Sequence, residues 1–452
     1  MNEIEKKVIK KVKPNPLDRK KLEKIIKELK ERIKEEVKKR NLPVKIELVG
    51  STAKDTYLKN NLDIDYFLLF PTKFKKKVIS KNALSIGKKI LKDTEESYAE
   101  HPYLRGYFKN YFVEIVPSYK IEKASQKLSA VDRTPLHTKY IKEKLKQNQK
   151  AEVLLLKQFL RGINCYGAEA EIEGFSGYLC ELLVLKFENF KNILINAQNW
   201  KIGKKLSLTN EKNPSFSSAL TFIDPVDKNR NVASALSKDK YKLFIKASKE
   251  YLKNPSIKFF FPNTVKPWSL DKIIKEIEKQ KLSYIGLKFD KPDVIDENLY
   301  PQLRKTAKSI MKNCNRNDFE IYDITFNVVD KRNLIYIIIK TKGEVLSETV
   351  EHIGPPIKLK KNVEEFKNKW KKDKRLIKGP YEKNKRVYVE IRRDYIDIEK
   401  FLIEKIKTFS LGKDIDNMIN KNFIILKENE LVNKNLEIFW TKYLDNKMSW
   451  ER

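Results

Sequence analysis

The chain has 452 residues, 40% of them hydrophobic and 35% charged, and its 96 Lys and Arg against 61 Asp and Glu leave a net charge of +35. That length accommodates two to four domains with sizeable cores, and no apolar run approaches the roughly 20 residues that span a bilayer, which excludes a transmembrane helix. Cys165, Cys180 and Cys314 are too few and too scattered for a zinc cluster or a disulfide framework, and the charge surplus points to a polyanion, nucleic acid first, beside the blander reading of a lysine-rich composition throughout.

The N-terminus opens on a charged amphipathic helix rather than a secretory leader, so a cytoplasmic protein without membrane contact is expected. Pro14-Asn15-Pro16 ends this leader and Asp18 is placed to cap a second helix, along which Ile25, Ile26, Leu29, Ile33 and Val37 recur at helical spacing. Asn41-Leu42-Pro43 stops it, and a strand over 44–49 delivers the chain into Gly50-Ser51. A short helical stretch, a strand over 63–70, a helix around 83–91, a β-like stretch over 97–103 and a strand over 111–116 follow. This is an α/β head with a small mixed sheet over 1–145. Residues 146–262 read as mostly helical, with apolar helices around Leu154–Leu160 and Leu179–Phe187 and a third over 241–252. After Pro262 and Pro267 comes a basic α+β region, 263–452: a strand over 284–289, a helix over 300–312, a hairpin from 319–329 to 334–341, and a strand over 387–392. Within it, residues 358–386 hold thirteen Lys and Arg against four Asp and Glu, interspersed with Trp370 and Tyr381. Lys360 and Lys361 head this segment, which is either a solvated helix face or a phosphate-contacting surface. The fold class is α+β and multidomain.

The chemistry concentrates between Gly50 and Asp65. A Gly-Ser turn opening a helix offers free backbone N–H groups to a phosphate. Asp63 and Asp65 begin a strand, and residues two apart share a face, so the pair can share a divalent cation. Two-metal nucleotidyl transfer needs a third carboxylate. Glu114, in the middle of Tyr111-Phe112-Val113-Glu114-Ile115-Val116, is the candidate, unless it faces solvent on an edge strand.

Neither G-S nor D-x-D is specific alone. Together, with the helix between them and a later strand acid, they resemble the polymerase-β nucleotidyltransferase superfamily. The blocks G50-S-T-A-K-D-T-Y-L-K-N-N-L-D-I-D, Y98-A-E-H-P-Y, S129-A-V-D-R-T-P-L-H, Y166-G-A-E, G174-F-S-G-Y-L-C-E-L-L, D224-P-V-D-K-N-R-N-V-A and K291-P-D-V-I-D-E-N-L-Y-P-Q-L narrow the resemblance to the archaeal, class I CCA-adding enzymes. It runs in order from about residue 15 to at least 370, and the last 80 residues match more loosely.

The resemblance implies template-independent addition of C, C and A to the 3′ end of tRNA from CTP and ATP. It also implies Mg²⁺, recognition of the acceptor end and top-half minihelix, a head, neck, body and tail, and a homodimer. Carried over by position, Asp63, Asp65 and Glu114 are catalytic metal ligands, and Gly50 and Ser51 grip the triphosphate. His137, Lys157 and Tyr166 contact the incoming nucleotide, Arg230 helps read its base, and Tyr98 and Ala99 touch the acceptor end. Read without the resemblance, Lys157 is a helix-surface lysine, Tyr166 a core aromatic and His137 a capping residue after Pro135. Glu114 departs from the family, which usually has Asp there. Poly(A) or oligo-U addition, and an RNA-binding protein that lost catalysis, are the competing functions. The Asp63/Asp65 pair argues against the second, and the Arg230 block with the long basic C-terminal region favours structured tRNA over single-stranded RNA.

Overall fold

The computed structural model describes every residue except 60–61, 99–101 and 210–213. Ala99, expected at the acceptor end, therefore lies outside the described residues. The chain forms two compact units, Met1–Thr264 with Lys447–Arg452, and Val265–Asn446.

The first unit begins with α1 (Glu3–Val12) and α2 (Pro16–Lys39). Asn15 caps α2 by accepting from Asp18 N–H, Asp18 returns the bond to Asn15 N–H, and Pro16 occupies the first turn, so this helix start is specified three times over. The strands β1 (Lys45–Val49), β2 (Asp63–Phe70), β3 (Lys92–Tyr98), β4 (Pro102–Phe108) and β5 (Tyr111–Tyr119) form one sheet in the order β1-β2-β5-β4-β3. Only β2 and β5 run parallel. Between β1 and β2 lies the single-turn helix α3 (Gly50–Lys54), and α4 (Lys76–Ile90) follows β2.

The two faces of this sheet differ in purpose. Ile64, Tyr66, Leu68, Phe70, Leu104, Val113 and Ile115 point to one side and pack with Leu29 and Ile33 of α2 and Ile79 and Ile86 of α4. The other face carries only a small apolar patch of Val49, Phe67, Leu69, Tyr103 and Val116. Strand alternation assigns Asp63, Asp65 and Glu114 to this second face. Of the β-like stretch expected over 97–103, residues 97–98 end β3 and 102–103 begin β4, while 99–101 lie outside the described residues. Along β3 only Ser97 is buried, because an edge strand that faces water has no apolar alternation to read.

Helices α5 (Arg133–Lys144), α6 (Gln149–Gly162), α7 (Gly177–Phe187), α8 (Phe190–Ala197) and α9 (Lys238–Lys253), with the short parallel pair β6 (Lys204–Leu206) and β7 (Leu220–Phe222), complete the unit. Val153, Leu154, Leu155, Leu156, Phe159 and Leu160 of α6 are all buried, as are Lys157 and Gln158 between them, so over two turns this helix is buried on every side and central to the helical core. The C-terminal residues return here: Trp450 stacks on Phe259 at 5.1 Å, and Ser449 Oγ donates to Gly162 O at 2.7 Å.

The second unit contains α10 (Leu270–Glu278), β8 (Ser283–Asp290), α11 (Asp296–Arg316), β9 (Ile321–Val329), β10 (Leu334–Thr341), β11 (Thr349–Pro356), α12 (Lys360–Lys371), β12 (Leu376–Lys383), β13 (Arg386–Arg392), α13 (Ile398–Lys405), α14 (Lys413–Lys421), β14 (Ile424–Leu426), α15 (Glu428–Leu431) and α16 (Glu437–Leu444). An antiparallel sheet β14-β8-β10-β9 packs on α11 and α14, and a three-stranded sheet β11-β13-β12 packs on α12. The basic segment 358–386 is thus a helix followed by a strand. Trp370 is buried against Val389 and Ile391, while Lys360 and Lys361 are exposed in the first turn of α12.

Candidate active site

The turn from β1 into α3 places Gly50 against the acids. Its φ is +72°, and a Cβ built there would lie 1.9 Å from Asp65 Oδ2. Glycine is therefore required twice, for its backbone conformation and for the close approach of a carboxylate. Thr52 Oγ1 donates to Asp63 O at 2.5 Å, tying α3 to the start of β2. Ser51 is half-buried in the first turn of α3.

Parallel pairing of β2 with β5 puts Asp65 directly beside Glu114. Both are half-buried, and Asp63 is exposed at the mouth. Glu114 faces this cluster rather than open solvent, and Arg105 of β4, its cross-strand neighbour, donates from Nε to Glu114 Oε1 at 2.9 Å. Burial and the neighbouring charges of Glu114 and Asp63 push Asp65 up to about 8. Burial also raises Glu114, with Arg105 opposing. Acids crowded until one resists ionisation form a site that a cation would relieve. An all-oxygen donor set suits a hard divalent ion. Among the described residues, no three His, Cys, Asp or Glu side chains converge as a ready-made cage; the acids share a face while Glu114 is turned to Arg105.

Behind α3, the helical region supplies a buried ionic network. Lys54 Nζ donates to Glu181 Oε2 and Thr56 Oγ1 to Glu181 Oε1, each at 2.6 Å. Lys157 Nζ donates to Thr56 O at 2.7 Å and lies 3.9 Å from Glu181. Glu181 is fully buried, yet the charges of Lys54 and Lys157 and the hydrogen bonds from Lys54 and Thr56 outweigh that burial and keep it ionised. Lys157, only 2% exposed, is not the surface lysine that its helix alone suggests, and burial lowers its pKa. A Cβ at Gly177 would lie 3.2 Å from Tyr166 Oη and 3.5 Å from Lys157 Nζ, so all three meet at the N-terminus of α7.

Asp224 organises a third group. It accepts from Arg230 Nη1 at 2.9 Å and from Tyr178 Oη at 3.1 Å, and is 2.9 Å from His137 Nε2. Although burial opposes it, the hydrogen bond and charge of His137, the Val226 N–H and the charge of Arg230 bring Asp224 down to about 2. His137 stacks on Tyr178 with ring centroids 4.1 Å apart. Burial lowers its pKa, with Arg230 and Lys54 adding to it and the Asp224 carboxylate opposing. Lys54, in the helix that Gly50 opens, lies with its Nζ 5.9 Å from the centre of the Tyr178 ring on which His137 stacks, so the ionic network and the Asp224 group adjoin at α3.

Gly50, Ser51, Asp63, Asp65, Glu114, His137, Lys157, Tyr166 and Arg230 thus share the first unit. Tyr98 ends β3 with 55% of its surface exposed, and Lys360 and Lys361 belong to the second unit. Sequence reasoning passed over Arg105, Lys54, Glu181 and Asp224. Two signals were available: Glu181 is the only charge in G174-F-S-G-Y-L-C-E-L-L, and Asp224 opens the block that was read for its arginine.

No helix among the described residues is long and apolar enough to cross a membrane. Residues 26–137 match the nucleotidyltransferase domain family, 151–261 the second domain of tRNA nucleotidyltransferases, and 282–428 the C-terminal domain of CCA-adding enzymes. A nucleotidyltransferase domain implies a divalent metal, which the oxygen donors above fit. The chain is 34% identical over 444 residues to the CCA-adding enzyme of Methanosarcina mazei, covering 97% of each. It is 38% identical over 388 residues to that of Methanocaldococcus jannaschii, covering 82% of this chain and 85% of that one. The relative from Archaeoglobus fulgidus is 33% identical over 404 residues, 88% of this chain and 90% of that one. With likeness of this extent along nearly its whole length and matching domains in the same order, the chain belongs to the CCA-adding enzymes, a family of tRNA nucleotidyltransferases.

Proposed function

We propose that this protein adds C, C and A, without a template, to the 3′ end of tRNA, consuming CTP and ATP. The 3′-hydroxyl of the tRNA attacks the α-phosphorus, a new P–O bond forms, the α–β bond breaks, and pyrophosphate leaves. The observation that carries this reading is the register setting Asp65 beside Glu114, with Gly50 closed on Asp65 from the turn. Asp63, Asp65 and Glu114 would hold two Mg²⁺ ions, which supply Lewis-acid chemistry at the attacking and leaving oxygens. Ser51 and the N–H groups of α3 take the triphosphate, and Lys54, Lys157 and Tyr166 supply positive charge and a hydroxyl behind it. Arg230, aimed by Asp224, presents a planar guanidinium to acceptors on cytosine or adenine, and His137 packs beside the nucleotide. Residues 1–145 serve as the catalytic head, 146–262 as the nucleotide-binding neck, and 263–452 as the tRNA-binding body and tail. By the same resemblance the working form is a cytoplasmic homodimer, which sedimentation of the purified chain tests for assembly.

The test uses tRNA transcripts ending before CCA, Mg²⁺, and each nucleoside triphosphate singly and in pairs. Two C additions with CTP, completed by one A when ATP is added, are expected. Asp65→Ala is expected to abolish extension while tRNA binding survives. Homopolymer tails would mean a poly(A)- or oligo-U-type polymerase instead, and binding without extension would mean a catalytically inactive RNA-binding protein.

A further inference from the structure

Strand β4 brings to the acid cluster a cation that nucleotidyl transfer itself does not require. Arg105 is paired with Glu114 across the β4–β5 ladder and donates to its Oε1 at 2.9 Å. The guanidinium lies 5.2 Å from the centre of the Tyr103 ring, a second contact on its own strand. Its charge also acts on Asp63 and Asp65. Glutamate has one methylene more than aspartate, enough reach for the carboxyl to lean toward β4, and the described acids do not converge as a closed set of ligands. Loss of about one C–C bond length of placement matters in a site with roughly half-ångström tolerance.

We infer that Arg105 is a positioning residue that holds Glu114 toward β4 and competes with divalent cations for it, so that it sets both the metal affinity of the site and the placement of its third carboxylate. The inference rests on reading Asp63, Asp65 and Glu114 as the metal ligands. Removing the arginine leaves the acid cluster one positive charge poorer and Glu114 unrestrained. Metal binding then tightens while the chemical step slows. A residue that only pinned β4 to β5 would lower stability without tightening metal binding.

The test is titration of the full chain with Mn²⁺, free Mn²⁺ being read by electron paramagnetic resonance, without nucleotide or RNA. Arg105→Met keeps the stem against Tyr103 and removes the charge; it is expected to bind Mn²⁺ on the order of tenfold more tightly. Its kcat with Mg²⁺ is expected to fall severalfold at unchanged KM for tRNA. Arg105→Gln, which retains a donor, is expected to behave alike, and Arg105→Lys to stay near wild type. In a Glu114→Asp background, where the carboxylate is too short to lean on β4, the effect of Arg105→Met on Mn²⁺ affinity is expected to shrink. Unchanged or weakened Mn²⁺ binding in both neutral variants overturns the inference alone. If wild type has no Mn²⁺ site that Asp65→Asn removes, the metal-ligand reading falls and the inference with it.

Discussion

Asp65 stands between Glu114 and Asp63 with Gly50 against its carboxylate, and burial with these neighbouring charges brings its pKa to about 8. An unfolded aspartate titrates near 3.9. A folded pKa above the unfolded one means stability that is complete below about pH 4 and lost as pH rises through about 8. The metal-free protein is therefore expected to melt a few degrees lower at pH 8 than at pH 5, and Asp65→Asn is expected to flatten that trend in thermal scans. The same group makes metal entry a proton-releasing event. At pH 7, calorimetry in buffers of different ionisation enthalpy is expected to show close to one proton released from Asp65 per protein as the acid cluster takes up metal. An affinity indifferent to pH between 6 and 8 would mean that Asp65 is already ionised in the absence of metal.

The β1–Gly50–α3 turn shows how one backbone conformation serves the chemistry. An alanine there must leave φ near +72° or displace the Asp65 carboxylate, since its Cβ would lie 1.9 Å from Oδ2. Gly50→Ala is expected to cost about 1 kcal/mol or more in stability and, through misplacement of the acid, on the order of a hundredfold in kcat. Circular dichroism and single-turnover extension separate the two effects. This turn was readable in the chain because Gly-Ser, a short helix and D-x-D lie within sixteen residues, and the local pattern contains the whole instruction. The β3–β4 pairing was not, because Lys92-Asp93-Thr94-Glu95-Glu96 is solvated and its pairing with β4 is set by the neighbouring strand. Lys157 shows a different limit. Its place on α6 follows from periodicity, but its burial depends on Thr56 and Glu181, 101 and 24 residues away in sequence. Likewise Asp224 and His137, 87 residues apart, become partners only when the fold closes. Asp63, Asp65 and Glu114, which lie on adjacent strands, could be anticipated; Arg105, which turns Glu114, and the partners that aim Arg230 and Lys157 could not.

A charge of +35 spread over both units does not by itself distinguish a tRNA-binding surface from a generally lysine-rich protein. The first turn of α12 offers a sharper test. Lys360 and Lys361 sit at a helix N-terminus, where the macrodipole disfavours cations, so they do not serve the stability of α12. Neither has an ion pair among the described residues, whereas Arg375 and Lys383 farther along the segment are paired with Asp373 and Glu351. Exposed, uncompensated lysines and the free N–H groups of a helix start together suit an RNA phosphate. On that reading the affinity for tRNA falls steeply with salt, because each neutralised duplex phosphate contributes about 0.9 to the slope of log K against log salt. Lys360→Ala/Lys361→Ala is expected to raise KM for tRNA severalfold and to lower that slope by about 1 to 2. The KM values for CTP and ATP should stay unchanged, because those contacts belong to the first unit. An unaltered slope would assign these lysines to solvation and leave the RNA contacts to other basic residues of the chain.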